Sequence, residues 1–170
     1  HNNVCPSSIF VALDGRWKLS GFECSQKLEN SRHWVQSDFV RSVKLPEFAP
    51  AEDQLMLSTD IPAAARDAFG FGKLILYVMP YIKDHLLQET VTALECAARK
   101  LTDNDPSSRG DLGSLAASFP EAFTNRLSSM MDFLQNFHSK NSEQKALFFE
   151  NAVCDIKMMP KEVVGKRIVP

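Results

Sequence analysis

The chain has 170 residues, which is room for one domain or for one domain and the start of another. Lysine and arginine total 19 against 21 aspartates and glutamates, a formal net charge of -2, and this balance excludes a general nucleic-acid binder, which needs a basic excess. Apolar residues make up 44% and charged residues 24%, a mixture that excludes a disordered chain, and the longest apolar stretch, Leu74 to Met79, is far too short to span a bilayer.

The chain opens on His1 and stops at Pro170 inside an apolar, helix-like pattern, so it reads as a piece of a longer protein. Cys5, Cys24, Cys96 and Cys154 form no Cys-x-x-Cys pair and have no histidine at zinc spacing. They read as four reduced thiols of a cytosolic protein, with no metal site.

Ile9 to Leu13 and Arg16 to Ser20 flank Asp14-Gly15. That dipeptide tolerates the positive φ angles of a tight turn, so the spacing predicts a β-hairpin over about 8–20. From Glu23 to Pro62 periodicity fades and three prolines intervene; a loop of this length in a compact domain is normally functional. Phe39, Val40, Val43 and Leu45 are the candidates for a short strand or turn within it. Ala63 to Lys83 is apolar nearly all round and predicts a buried central helix. Gly70 and Gly72 each cost such a helix about 1 kcal/mol against alanine, which points to close approach of another backbone.

Asp84 to Leu101 carries an amphipathic stripe at Leu87, Val91, Leu94, Ala98 and Leu101. A turn is expected at Asp103 to Ser108 and a short helix over Leu112 to Ala117. Phe123, Leu127, Met130, Leu134 and Phe137 step as one further helix. Ser142 is placed to cap the next, whose stripe is Ala146, Phe149, Val153 and Ile156, and Pro160 suits the first turn of a last helix over Lys161 to Ile168. A helical pair of this kind needs neighbours to bury its stripes.

Hairpin, long loop, buried helix and peripheral helices is the order of the lower lobe of a protein kinase from its catalytic loop onward. His1-Asn2-Asn3-Val4-Cys5-Pro6-Ser7-Ser8 resembles the catalytic loop, H-R-D-L-K-P-x-N. Lys18-Leu19-Ser20-Gly21-Phe22-Glu23 resembles K-L-x-D-F-G, Ala49-Pro50-Ala51-Glu52 a degraded A-P-E, Asp67-Ala68-Phe69-Gly70-Phe71-Gly72 the D-x-W-S-x-G opening of the buried helix, and Asp105-Pro106-Ser107-Ser108-Arg109 resembles D-P-x-x-R. Each match is weak alone; five in order carry the resemblance. Within kinase-like proteins the chain is most similar to the Scyl family of pseudokinases, its ezrin-binding member in particular, through His1-Asn2-Asn3-Val4-Cys5, Trp17-Lys18-Leu19 and Ala65 to Gly72.

The resemblance implies a mainly α fold: the lower, C-terminal lobe of a protein-kinase-like fold with one β-hairpin over residues 1–139, its upper lobe missing, then the first helices of a HEAT-like α-solenoid over 140–170. It also implies a degenerate catalytic site. Asn3 stands where the base aspartate is expected, Cys5 for the lysine that faces the phosphate, Ser8 for a metal-binding asparagine and Gly21 for a metal-binding aspartate. Phosphoryl transfer needs that base and those ligands, so no catalytic, cofactor-binding or metal-binding residue is expected. His1 and Phe22 match the lower-lobe members of a stacked hydrophobic spine, Asp67 the carboxylate that anchors the catalytic loop, and Glu52 with Arg109 an ion pair behind the activation segment.

The expected function is a catalytically inactive scaffold or adaptor in Golgi-linked intracellular trafficking and ezrin- and actin-associated adhesion or migration. Its partners would be proteins, an ezrin-like cytoskeletal linker and trafficking components. Peripheral membrane association and ATP binding would depend on regions outside this sequence. By resemblance the location is cytoplasmic, at the Golgi and at the cell edge in lamellipodia. The alternative is an atypical protein kinase with weak ATP-dependent phosphotransfer, in which Glu23 stands in for the lost acid one turn along.

Overall fold

The structure is a computed structural model that describes residues 1–13, 16–25, 38–53, 61–62, 64–159, 161 and 164–168. The expected turn residues Asp14 and Gly15, Pro160 at the last helix start, and Val163 lie outside these. The described part is mainly helical. It has one two-stranded sheet, β1 (Ile9–Val11) with β2 (Trp17–Leu19), and seven α-helices among the described residues: α1 (Asp38–Val43), α2 (Ala65–Ile82), α3 (Gln88–Leu101), α4 (Leu115–Ser118), α5 (Pro120–Phe123), α6 (Arg126–Gln135) and α7 (Ser142–Lys157). The chain divides into two compact units, His1–Phe10 with Lys18–Phe123, and Val11–Trp17 with Thr124–Pro170.

In the first unit α2 packs along α3. Ala68, Gly72, Ile75 and Met79 follow one another at helical spacing, and all four are buried. Val91, Ala97, Ala98 and Leu101 of α3 and Leu115 complete this core, with Phe71, Phe119 and Phe123 packed against it. The glycine at 72 is what lets the helices approach: a Cβ there would lie 2.8 Å from both Leu101 Cβ and Thr102 Cγ2. A second, smaller core of Cys5, Phe48 and Leu74 lies on another side of α2. The central helix is nevertheless not buried all round. Leu76, Tyr77 and Tyr81 are exposed, because the two cores take only the faces of Ile75 and Leu74 and leave the remaining arc uncovered.

The loop expected between Glu23 and Pro62 contains order. Val40 is buried on α1, and short 3-10 turns at Pro46–Phe48 and Ala51–Asp53 follow, each set by a backbone bond to the carbonyl three residues back. The amphipathic helix begins at Gln88 rather than Asp84, because Lys83–His85 forms a separate 3-10 turn.

In the second unit α6 and α7 meet through stacked rings of Phe133 and Phe148, with centroids 4.1 Å apart and planes at 3°. The helix expected to run from Phe123 to Phe137 is broken. Asn125 caps α6 by accepting the Ser128 N–H while the Ser128 hydroxyl receives the Asn125 N–H, so the chain restarts there. The same device moves the next cap from Ser142 to Asn141, paired with Gln144. Of the stripe expected on α7, Phe149 and Val153 are more than half exposed; the buried position is Ala152, since the helix turns Phe148 toward α6. Within the span of the expected last helix, Lys161 to Ile168, Val164–Ile168 forms a π-helix, and residues 162–163 lie outside the described residues. The two units part between Phe123 and Thr124, and the Phe133–Phe148 stack ties α6 to α7.

Candidate functional site

The start of the segment from His1 to Ser8 is anchored on one carboxylate. Asp67, in the first turn of α2, accepts the Asn2 N–H through Oδ1 at 2.7 Å and the His1 amino group through Oδ2 at 2.9 Å. Asn2 has φ of 65°, a left-handed conformation that asparagine tolerates better than most residues, and its side-chain Nδ2 donates to the Cys24 carbonyl at 3.2 Å. The His1 ring is fixed on both nitrogens. Nε2 lies 2.7 Å from the Ser20 carbonyl, so it must donate, and Nδ1 then accepts the Asn3 N–H at 3.3 Å. Its ring meets that of Phe22 edge to face at 4.9 Å, although Phe22 is itself 63% exposed.

Replacing Asp67 by alanine strands the Asn2 N–H. The expected loss of stability is about 1–3 kcal/mol, the cost of a donor left without its acceptor. Asp67→Asn, which retains one acceptor, should lose less. A thermal melt identical to wild type for Asp67→Ala would remove Asp67 from the role of anchor.

Asn3, Cys5, Ser8 and Gly21 converge on one spot. Asn3 Oδ1 accepts from the Cys5 thiol at 3.3 Å, and Ser7 Oγ lies 3.1 Å from the same sulfur. The Ser8 hydroxyl is spent within its own turn, donating to the Cys5 carbonyl at 2.8 Å and accepting the Cys5 N–H at 3.1 Å. Gly21 has φ of 77°, and a Cβ built on it would lie 3.0 Å from Asn3 Nδ2 and 3.4 Å from Ser8 Cβ. The convergence therefore offers an amide, a thiol, a hydroxyl and bare backbone. The nearby acid is Glu23, on the exposed side, whose Oε1 lies 3.7 Å from that Cβ position. Among the described residues no three His, Cys, Asp or Glu side chains gather as a metal site. Cys24, buried beside this spot, has its thiol pKa raised, first by burial and then by the Glu23 charge, with Lys44 opposing.

Behind the site Arg109 forms a two-pronged pair with Glu52. Nη1 bonds Oε1 at 2.5 Å and Nη2 bonds Oε2 at 3.0 Å. Nη1 also donates to the Ala65 carbonyl at 3.1 Å and Nε to the Asp103 carbonyl at 2.8 Å. The guanidinium carbon sits 4.9 Å from the centroid of the Phe69 ring. Asp105 shapes the turn that delivers Arg109: its carboxylate accepts the Ser108 hydroxyl and the Ser107 N–H, and these bonds, in that order, lower its pKa.

One cluster escaped the sequence reading. Asp53 receives Lys44 Nζ at 2.6 Å on one oxygen and Arg66 Nε at 2.7 Å on the other, with all three side chains between 6% and 8% exposed. No spacing rule joins residues from a loop, a 3-10 turn and a helix start, so only the charges themselves were there to be noticed.

No protein-family model matches the chain, and no solved structure is significantly similar to it. Over its whole length it is 28% identical to mouse protein-associating with the carboxyl-terminal domain of ezrin, of which it covers 23%. It is 25% identical, again over its whole length, to the protein kinase domain-containing protein ppk32 of Schizosaccharomyces pombe, of which it covers 26%. The chain thus spans about a quarter of the length of these curated relatives. The resemblance to the Scyl family of kinase-like proteins read from the motifs is borne out by this similarity along the full chain.

Proposed function

We propose that this chain is part of the lower lobe of a catalytically inactive kinase-like scaffold. The observation that carries the reading is the spot where Asn3, Ser8 and Gly21 meet. A kinase needs there a carboxylate to accept the proton of the attacking hydroxyl and oxygen ligands to hold magnesium against the phosphates. The amide of Asn3 takes no proton, the Ser8 hydroxyl is engaged in its own turn, and Gly21 has no side chain. General base catalysis alone is worth about 10²–10⁴ in rate, and the loss of metal ligands removes charge neutralisation as well.

On this reading the work left to the fold is to present surfaces to other proteins. The similarity to a protein named for its association with ezrin supports a partner related to the carboxyl-terminal part of a cytoskeletal linker. We extend the reading to trafficking components, to a cytoplasmic location at the Golgi and cell edge, and to helices from about residue 140 that begin a HEAT-like repeat region. No cofactor is required; nucleotide binding by the intact parent turns on its upper lobe.

The test is phosphoryl transfer by the purified full-length parent with magnesium and γ-labelled ATP. No label is expected on the protein or on a general substrate. The competing reading, an atypical kinase, has one observation in its favour, the Glu23 carboxylate near Gly21. Labelling that disappears in Glu23→Ala would establish that reading and overturn the inactive one.

A further inference from the structure

We propose that the Lys44–Asp53–Arg66 cluster is a binding site for a phosphate-class oxyanion. Two cations share one carboxylate in a place where their side chains are at least nine-tenths buried. A buried charge without a partner is costly, so the excess positive charge calls for a second anion. Among the described residues, the carboxylates next in the chain to Asp53 and Arg66 do not supply it. Both oxygens of Glu52 are bonded to Arg109, and both oxygens of Asp67 are bonded to the His1 amino group and the Asn2 N–H.

Arg66 spends only its Nε on Asp53. Its two Nη groups have no partner among the described residues. Ser25 Oγ is the single side-chain atom among the described residues that is both sealed from solvent and unbonded, so these Nη groups still touch solvent. Their fork, with Lys44 held on the other oxygen of Asp53, suits the oxygens of a phosphoryl group.

The charge matches as well. The pair of cations with Asp53 leaves one positive charge, and Arg66 stands in the first turn of α2, an 18-residue helix whose start has no side-chain cap. A helix start contributes about half a positive charge. The sum suits a phosphate group, which carries about -1.5 to -2 at neutral pH, better than a carboxylate.

The test is titration of inorganic phosphate into the protein at fixed ionic strength, with chloride as the control anion, followed by heat of binding and melting temperature. O-phospho-L-serine forms the second arm, for a phosphoryl group carried on a side chain. Saturable binding that chloride does not reproduce is expected; binding of phosphoserine alone marks a modified side chain as the source, and binding of phosphate alone marks the free ion. Lys44→Met should weaken binding about tenfold or more, the loss of one charge-assisted contact. Asp53→Asn frees both cations and should strengthen binding by about the same factor. The second variant moves opposite to any loss caused by misfolding, so it decides the matter if Lys44→Met does not fold. The proposal fails if neither phosphate nor phosphoserine binds above chloride in wild type, or if Asp53→Asn binds no more tightly than wild type.

Discussion

Replacing Arg109 by alanine is expected to lower stability by about 3–5 kcal/mol, the cost of breaking a buried ion pair from one side. Arg109 is 1% exposed and Glu52 4%, so the carboxylate left behind cannot turn to water. The loss goes beyond the pair. The carbonyls of Asp103 and Ala65 each lose a donor, and Phe69 loses the cation over its ring. Against a total stability of about 5–15 kcal/mol for a natural domain, this is enough to populate the unfolded state. For a chain of this size the melting temperature should fall by about 10 °C or more.

The geometry distinguishes charge from shape. Arg109→Lys retains the charge but cannot bond both oxygens of Glu52 and both carbonyls, and it should fall between wild type and alanine. Replacing both partners, Glu52→Leu with Arg109→Leu, should be less damaging than either single change, since no charge is then buried alone. Denaturant unfolding of these five variants measures this directly. Single variants within 1 kcal/mol of wild type would mean that the pair is incidental to the fold.

Gly70→Val is expected to destabilise the first unit by about 3 kcal/mol, at the upper end of the usual range for overpacking. A Cβ at this position would lie 2.6 Å from the Val4 carbonyl oxygen and 3.1 Å from Val4 Cβ. The obstruction is backbone, so no rotamer change relieves it; either α2 or the segment carrying Asn3 and Cys5 must move. Gly70→Ala makes the same collision with its one carbon, offset by about 1 kcal/mol of better helix propensity, and should be milder. Gly165→Ala is the control, since nothing lies within 4 Å of a Cβ there, and it should change little. A shifted denaturant midpoint at constant slope reads the effect. Equal midpoints for the valine variant and wild type would show that α2 and the His1–Ser8 segment are not in the contact described.

The glycines at 70 and 72 show how far local reading reaches. Two helix-weakening residues in an otherwise strongly apolar helix announce a close approach, and the approach is there: Val4 at one, Leu101 and Thr102 at the other. What they cannot announce is the identity of the neighbour. The starts of α2 and α7 were legible to within a turn, yet the break at Asn125 was missed, because an apolar stripe continues through a cap that depends on two short polar side chains facing one another. Asp67 and Gly21 carried motif positions, but neither the left-handed Asn2 nor the enclosed Cys5–Asn3 contact has a sequence signal.

The sequence by itself determined the strand pairing of the hairpin, the existence and approximate span of α2, α3 and α7, the lack of a carboxylate at positions 3, 8 and 21, and the likeness to kinase-like proteins. These are properties of residue type and of spacing within a few residues, where periodicity and turn chemistry act. The tertiary structure alone decided which arc of α2 is covered, which face of α7 is left in solvent, that Glu52 and Arg109 meet across a separation of 57 residues, and that Lys44, Asp53 and Arg66 share one buried spot. Each of these depends on which surfaces meet after the elements have formed, and burial and charge pairing at that range leave no period in the chain to be read.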